Sequence, residues 1–201
     1  MRRLPALAAT AAAAVLLAHP SSAATSGLHL KDLAGDANGL NGQDTGVPVP
    51  QTATSPASVK QADILGLDVV SHFKGYGRAR KVKGFTVTLR LAAPVQTGTS
   101  FLVTMDGSNP CGETSGFDLG YEIIGTVSSG FADCNPASTT GSGTSVGSAE
   151  ISDDKKSIVW EIDDVFKAGT KLTNFYASTS VFVLGVFDEL TAPDATFVYG
   201  K

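Results

Sequence analysis

The strongest constraint in this chain is an alternation of apolar and polar residues with a period of two. Phe85-Thr86-Val87-Thr88-Leu89-Arg90-Leu91 shows it most clearly, and Ser157-Ile158-Val159-Trp160-Glu161-Ile162 repeats it. Successive side chains of a strand point to opposite faces, so such segments bury one face and wet the other. Shorter apolar runs read the same way: Ile64 to Phe73, Phe101 to Met105, Tyr121 to Val127, Ala149 to Ile151, Lys171 to Ser180 and Val181 to Phe187. Turn signals separate them at Lys74 to Gly84, Pro94 to Gly98, Ser129-Gly130 and Asp153 to Lys156. Gly, Ser and Thr are abundant, while Lys and Glu, which fill the helices of soluble proteins, are sparse. Only Asp163 to Lys167 reads as a turn of helix. The pattern predicts an all-β chain of about eight strands with little helix, an antiparallel β-sandwich of the jelly-roll or Ig-like kind.

The first residues have a different character. Met1-Arg2-Arg3 precedes an uncharged run from Leu4 to Ala18, then Pro20 and the small residues Ser21, Ser22, Ala23 and Ala24. This positive start, apolar centre and small-residue site predict a signal peptide over residues 1–23, cut after Ala23 or Ala24, and an extracellular product. The apolar run is about 15 residues, short of the roughly 20 that span a bilayer, so no stable membrane insertion is expected once the leader is removed. The leader carries Arg2 and Arg3 and no acid, so its loss moves the net charge from −4 to −6. That acidity argues against nucleic acid as a partner.

Residues 24–60 show almost no periodicity and read as an N-terminal loop segment, with the sandwich domain over 61–201. Cys111 and Cys134 are the two cysteines. In an exported chain an even count reads as a disulfide. Closing a loop of about 24 residues would contribute roughly 3 kcal/mol in the chain-entropy account.

The loop segment carries the most suggestive chemistry. Asp32, Asp36, Asn38, Asn41 and Asp44 are interleaved with Gly35, Gly39 and Gly42, and Asp63 stands at the mouth of the first strong strand. Ca²⁺ takes six to eight oxygens from carboxylates, amides and backbone carbonyls. Closely spaced Asp and Asn supply such oxygens, and glycine lets the backbone turn its carbonyls inward. These six residues are the candidate ligands of a Ca²⁺ site; the alternative is a polar loop held by Asx turns.

The run from Asp32 to Gly39, with Ala62-Asp63-Ile64 opening a strand, resembles the start of DOMON-like domains and of family 9 carbohydrate-binding modules. Those begin with an Asp-Pro-x-Gly-Asp loop and an Asp-Ile strand start. Pro193-Asp194-Ala195 resembles their late acidic turn. Leu33 stands where Pro is usual, and the spacer before Asp63 is long. The resemblance covers roughly Leu30 to Tyr199 and implies a calcium-bearing β-sandwich. Family 9 modules grip sugar between exposed Trp residues, which makes Trp160 a candidate stacking residue, set against a packed core Trp. Some DOMON-type domains hold haem through Met and His, here Met105 with His29 or His72; a lone Met in a strand more often packs a core.

Lys74, Arg78, Arg80, Lys81 and Lys83 form the one dense basic cluster, around Gly75-Tyr76-Gly77. It reads as a site for an anionic glycan or cell-wall polymer, or as a solvated hairpin turn. No nucleophile elbow and no metal-hydrolase spacing occurs. The acid pairs Asp153/Asp154, Asp163/Asp164 and Asp188/Glu189 would point to opposite faces of a strand. The expectation is therefore a secreted, calcium-stabilised, non-catalytic binding protein. A secreted hydrolase and an extracellular structural or inhibitor protein are the alternatives.

Overall fold

A computed structural model describes residues 27–35, 37–40, 48–50, 60–107, 116–124, 127–134, 144–181 and 186–201. For 38–40, 48–50, 116–120, 122–124, 127–134 and 144–145 it describes the backbone alone. The strands are β1 (Gly27–Lys31), β2 (Asn38–Leu40), β3 (Pro48–Pro50), β4 (Ile64–Lys74), β5 (Lys81–Leu91), β6 (Thr99–Gly107), β7 (Gly116–Ile124), β8 (Val127–Cys134), β9 (Thr144–Ser145), β10 (Gly147–Ile151), β11 (Ser157–Asp163), β12 (Lys171–Val181), β13 (Val186–Ala192) and β14 (Phe197–Val198). Eight of these, β4 to β8 and β11 to β13, have seven or more residues and carry the architecture.

The strands form two antiparallel sheets, so the chain is the all-β sandwich that the alternation predicts. One sheet runs β1-β4-β5-β11-β10; the other runs β3-β2-β13-β12-β6-β7-β8-β9. The short β14 pairs with the first residues of β12, beyond the point where β13 ends. The chain changes sheet between β1 and β2, β3 and β4, β5 and β6, β9 and β10, and β11 and β12.

Several boundaries differ from the sequence reading, each for a physical reason. Residues 24–60 are not loop throughout: β1 pairs with β4 along five residues, and β2 pairs with β13 and β3. Leu28 and Leu30 do alternate, and both pack against the core, but a five-residue signal is short. Ser129-Gly130 is not a turn. It lies within β8, paired to Glu122 and Tyr121, because a ladder can override local turn preference. Asp163 to Lys167 is not helical: β11 runs to Asp163, and the chain then bends so that Phe166 is buried.

The core lies between the sheets. β4 contributes Ile64, Leu67 and Val69, β5 contributes Phe85, Val87, Leu89 and Leu91, and β11 contributes Ile158, Trp160 and Ile162. Phe101, Val103 and Met105 of β6 and Leu172, Phe175 and Ala177 of β12 face them. Ile64 and Leu67, like Leu172 and Phe175, are three residues apart yet share the inner face. The β4–β5 register shifts between Ile64 and Gly66, and the β12–β6 register shifts between Thr173 and Tyr176. One extra residue at each shift restores the inward phase.

Polar side chains also tie one sheet to the other. Asp188 of β13 is buried, and its Oδ2 accepts the N–H of Ile64 of β4 at 2.7 Å. The Thr179 hydroxyl of β12 donates to the carbonyl of Ala62. Gly200 N–H donates to Ser71 Oγ of β4 at 3.1 Å. Buried polar groups must be paired, so these bonds fix the relative position of the sheets more narrowly than apolar contact alone.

One end of the core is aromatic. Phe85 meets Phe166, Phe197 and Tyr199, each with ring centroids 5.8 Å apart. The Tyr199 hydroxyl donates to Asp164 Oδ1 at 2.6 Å. Burial, and then the hydrogen bond to the Asp164 carboxylate and its charge, push the Tyr199 hydroxyl above the ordinary phenol value. The folded state thus holds this proton more tightly than the unfolded state. Its contribution is complete below about pH 10, the unfolded value, and is lost as pH rises toward the raised folded value. Tyr199→Phe is expected to cost about 1 kcal/mol at neutral pH. The gap between wild type and variant should close above about pH 10 in denaturant titrations; a gap that stays constant to alkaline pH would refute this account.

Candidate functional site

The basic cluster sits at one end of the sandwich, on the hairpin joining β4 to β5. β4 ends at Lys74, a short 3-10 turn spans Gly77–Ala79, and β5 starts at Lys81. Ala79 N–H donates to the Tyr76 carbonyl and Arg80 N–H to the Gly77 carbonyl, both at 3.2 Å. Gly75 takes φ 88°, and a Cβ there would lie 2.7 Å from the Ala79 carbonyl oxygen. The turn is thus closed by backbone contacts, while its side chains project outward. Tyr76 at the tip is 95% exposed.

A register shift between His72 and Phe73 determines which residues face out. His72 pairs with Gly84, Phe73 with Val82, and Lys74 with Lys81, so Lys83 is the extra residue on β5. Phe73 and Val82 are half-buried, while Lys74, Arg78, Arg80, Lys81 and Lys83 are all exposed. Lys74 and Lys81 oppose each other directly, an arrangement that costs stability on its own because like charges across a ladder repel. None of the five bases is in an ion pair with a described residue. The Arg80 guanidinium lies over the Phe73 ring, 3.5 Å from its centroid, a stacking arrangement suited to arginine.

Two clefts flank this hairpin, and Phe73 borders both. The larger, about 550 Å³, is bounded by Phe73, Arg80, Lys81, Val82, Asp164, Phe166, Ala168, Gly200 and Lys201. The smaller, about 320 Å³, is bounded by His72, Phe73, Lys83, Gly84, Phe85, Glu161, Ile162 and Asp163. His72 Nε2 contacts the Thr86 hydroxyl beside it. Each cleft has a basic wall from the hairpin and an acidic wall from β11 or the bend after it. Comparison with protein-family models, curated proteins and solved structures finds no match for this chain. The site therefore has to be read from its own geometry.

The other sequence candidates are placed as follows. Trp160 is wholly buried at the middle of β11, paired with Val87 of β5 and Ala149 of the edge strand β10. It has no free ring face, which corrects its candidacy as a sugar platform. Tyr121 and Tyr199 are buried too. Met105 is a core residue of β6 and is 1% exposed, the packing role expected of a lone strand Met.

Asp36, Asn41, Asp44 and Cys111 lie outside the described residues, and Asn38 and Cys134 are described by backbone alone. The Cys111–Cys134 pairing therefore falls outside them as well. Cys134 ends β8, opposite Phe117 and Thr144. The start of the acidic loop is held in place. Both oxygens of Asp63 receive the Gly35 N–H at 2.9 Å. Ala37 is buried with Ala62, Val181 and Val186 in a small satellite cluster. Asp32 follows β1, and its Oδ1 accepts the Leu33 N–H at 2.9 Å. Among the described residues, no group of three or more His, Cys, Asp or Glu side chains is placed to hold a metal.

The acid pairs behave as turn and ladder residues. The Ser152 hydroxyl and the Lys156 N–H both donate to Asp154 Oδ1, and these bonds hold its carboxyl below the usual range. Asp188 is buried and bonded to backbone, while Glu189 next to it is exposed and accepts the Tyr176 hydroxyl at 2.8 Å. Sequence reasoning missed Phe73 and Asp164 as cleft residues. Neither carries a motif, and only the topology brings Asp164 opposite the hairpin. It also missed the surface network in which Asp68 accepts from His29 Nδ1 and forms an ion pair with the Arg90 guanidinium, each contact at 2.8 Å.

Proposed function

We propose that this chain is an extracellular, non-catalytic binding protein whose ligand is an anionic glycan or cell-wall polymer, bound at the β4–β5 hairpin. One observation carries the reading: five exposed bases, without ionic partners among the described residues, crowd one hairpin of an acidic chain. The facing Lys74 and Lys81 repel each other until an anion lies across them, so binding relieves a cost built into the fold. The leader-like N-terminus supports the extracellular part of this reading, and the DOMON-like opening residues support the β-sandwich rather than the choice of ligand. The test is retention of the protein on heparin-agarose along a salt gradient. Replacement of Lys74, Arg78, Arg80, Lys81 and Lys83 by Ser should abolish retention. Retention that survives the five substitutions overturns the assignment.

Calcium belongs to this proposal as a stabiliser. The hold of Asp63 on Gly35 supports a loop that closes onto the mouth of β4. The described part of the candidate set, Asp32 and Asp63, does not make a cage without Asp36, Asn38, Asn41 and Asp44. Millimolar Ca²⁺ present at about 100 times its Kd would add about 2.7 kcal/mol, a rise of several degrees in Tm that chelator reverses. A Tm indifferent to both removes calcium from the account.

A further inference from the structure

We infer that the larger cleft is a subsite for a single uronic acid unit, a sugar ring bearing one carboxylate. This deepens the hairpin proposal and rests on it. Its volume of about 550 Å³ fits one or two sugar rings and falls within the range of small-ligand sites. Three features of its wall specify the chemistry. Phe73, Val82 and Phe166 give an apolar wall for the C–H face of a ring. Arg80, its guanidinium held 3.5 Å over the Phe73 ring and unpaired with any carboxylate among the described residues, presents a positioned set of N–H donors. The guanidinium fork matches a carboxylate with two parallel bonds. Across the cleft stands Asp164, held by the Tyr199 hydroxyl through one oxygen. Its other oxygen has no protein donor among the described residues.

An acid in the wall of a basic cleft discriminates between anions. It repels a phosphate dianion or a densely sulfated ring. It accepts hydrogen bonds from the hydroxyls of a polyol. A ligand that satisfies Arg80 and Asp164 together must carry one negative group and vicinal hydroxyls on a largely apolar ring, and a uronate has that composition. Lys81, shared with the exposed face of the hairpin, connects the subsite to the rest of a polymer chain.

The experiment measures binding of an oligoglucuronate and of a neutral glucan oligomer of equal length by titration calorimetry, alongside heparin retention. The wild type should bind the uronate at least about tenfold more tightly than the neutral oligomer. Arg80→Lys keeps the charge and loses the fork, and should cost about tenfold in uronate affinity, so that the preference for uronate over the neutral oligomer is lost. Asp164→Asn keeps a partner for Tyr199 and should move the two ligands in opposite directions, weaker for uronate and stronger for heparin. A simple charge patch predicts that both become stronger, and that result overturns the subsite. Equal affinity for the uronate and the neutral oligomer overturns it too. If heparin retention still depends on the five bases in either case, the hairpin proposal stands without the subsite. If retention is also lost as a property of the wild type, both fail.

Discussion

Trp160→Ala is expected to destabilise the protein by about 3–5 kcal/mol, the range for deleting a fully buried indole. Trp160 has no solvent exposure, and it sits mid-strand between Ile158 and Ile162, which are buried on the same face. Its neighbour Val87 belongs to β5, held by ladders to both β4 and β11, so that wall of the cavity is poorly able to collapse, whereas Ala149 belongs to the edge strand β10, paired to β11 alone. For a domain of this size the loss corresponds to a Tm lower by roughly 10 °C. The same residue is the only Trp of the chain, which makes its fluorescence an unambiguous check. Emission should be that of an apolar site, resistant to iodide quenching, and unaltered by any glycan that binds at the hairpin. A quenchable, ligand-sensitive indole would mean that the ring is at the surface and that the inner face of β11 has been assigned the wrong way round.

The strands that could be read in the sequence are those whose inner face stays in phase. β5 and β11 place Phe85, Val87, Leu89 and Leu91, and Ile158, Trp160 and Ile162, at strict intervals of two, and every one of them is buried. β4 and β12 were legible as apolar runs. Their phase was not, because a bulge in each moves the inward set by one residue and no local signal announces it. β2 and β3 could not be read at all. Three residues cannot show a period, and their backbone order comes from pairing with β13 and with each other. Ser129 and Gly130 illustrate the converse: composition indicates a turn, but the ladder to β7 keeps the segment extended.

The candidate site was half legible for a related reason. Charge density is a local property, so Lys74 to Lys83 stood out. Exposure of Trp160 is a global property, and an alternating strand does not say which of its faces meets the second sheet. The acidic walls were hidden for the same reason. Asp164 lies 84 residues beyond Arg80 in the sequence, and the two share a cleft only because β5 pairs with β11 and the chain bends immediately after. Asp63 was singled out for its position before a strand, and it does anchor the loop, through a backbone N–H at Gly35.

Gly84 joins the bulge to the binding face, and its substitution is the sharpest test of that link. It takes φ 153°, a conformation that side chains of L residues rarely adopt, and a Cβ there would lie 2.2 Å from the Ile162 carbonyl oxygen. That oxygen belongs to the backbone of β11 and cannot rotate away. Gly84→Ala must therefore push β5 away from β11 or abandon the bulge, at an expected cost of about 2–4 kcal/mol. If the bulge is abandoned, the register past His72 slips by one residue. Phe73 then loses Val82 as its inward partner, Lys81 and Lys83 change faces, and both clefts lose their shared wall. Heparin retention should fall even at temperatures where the variant remains folded. Gly77 supplies the control within the same hairpin. Its φ of 57° is one that Asn tolerates, and nothing lies within 4 Å of a Cβ placed there. Gly77→Asn should thus cost less than about 1 kcal/mol and keep retention. Equal losses from the two variants would show that the hairpin responds to any substitution, and that the bulge at Lys83 does not set the binding face.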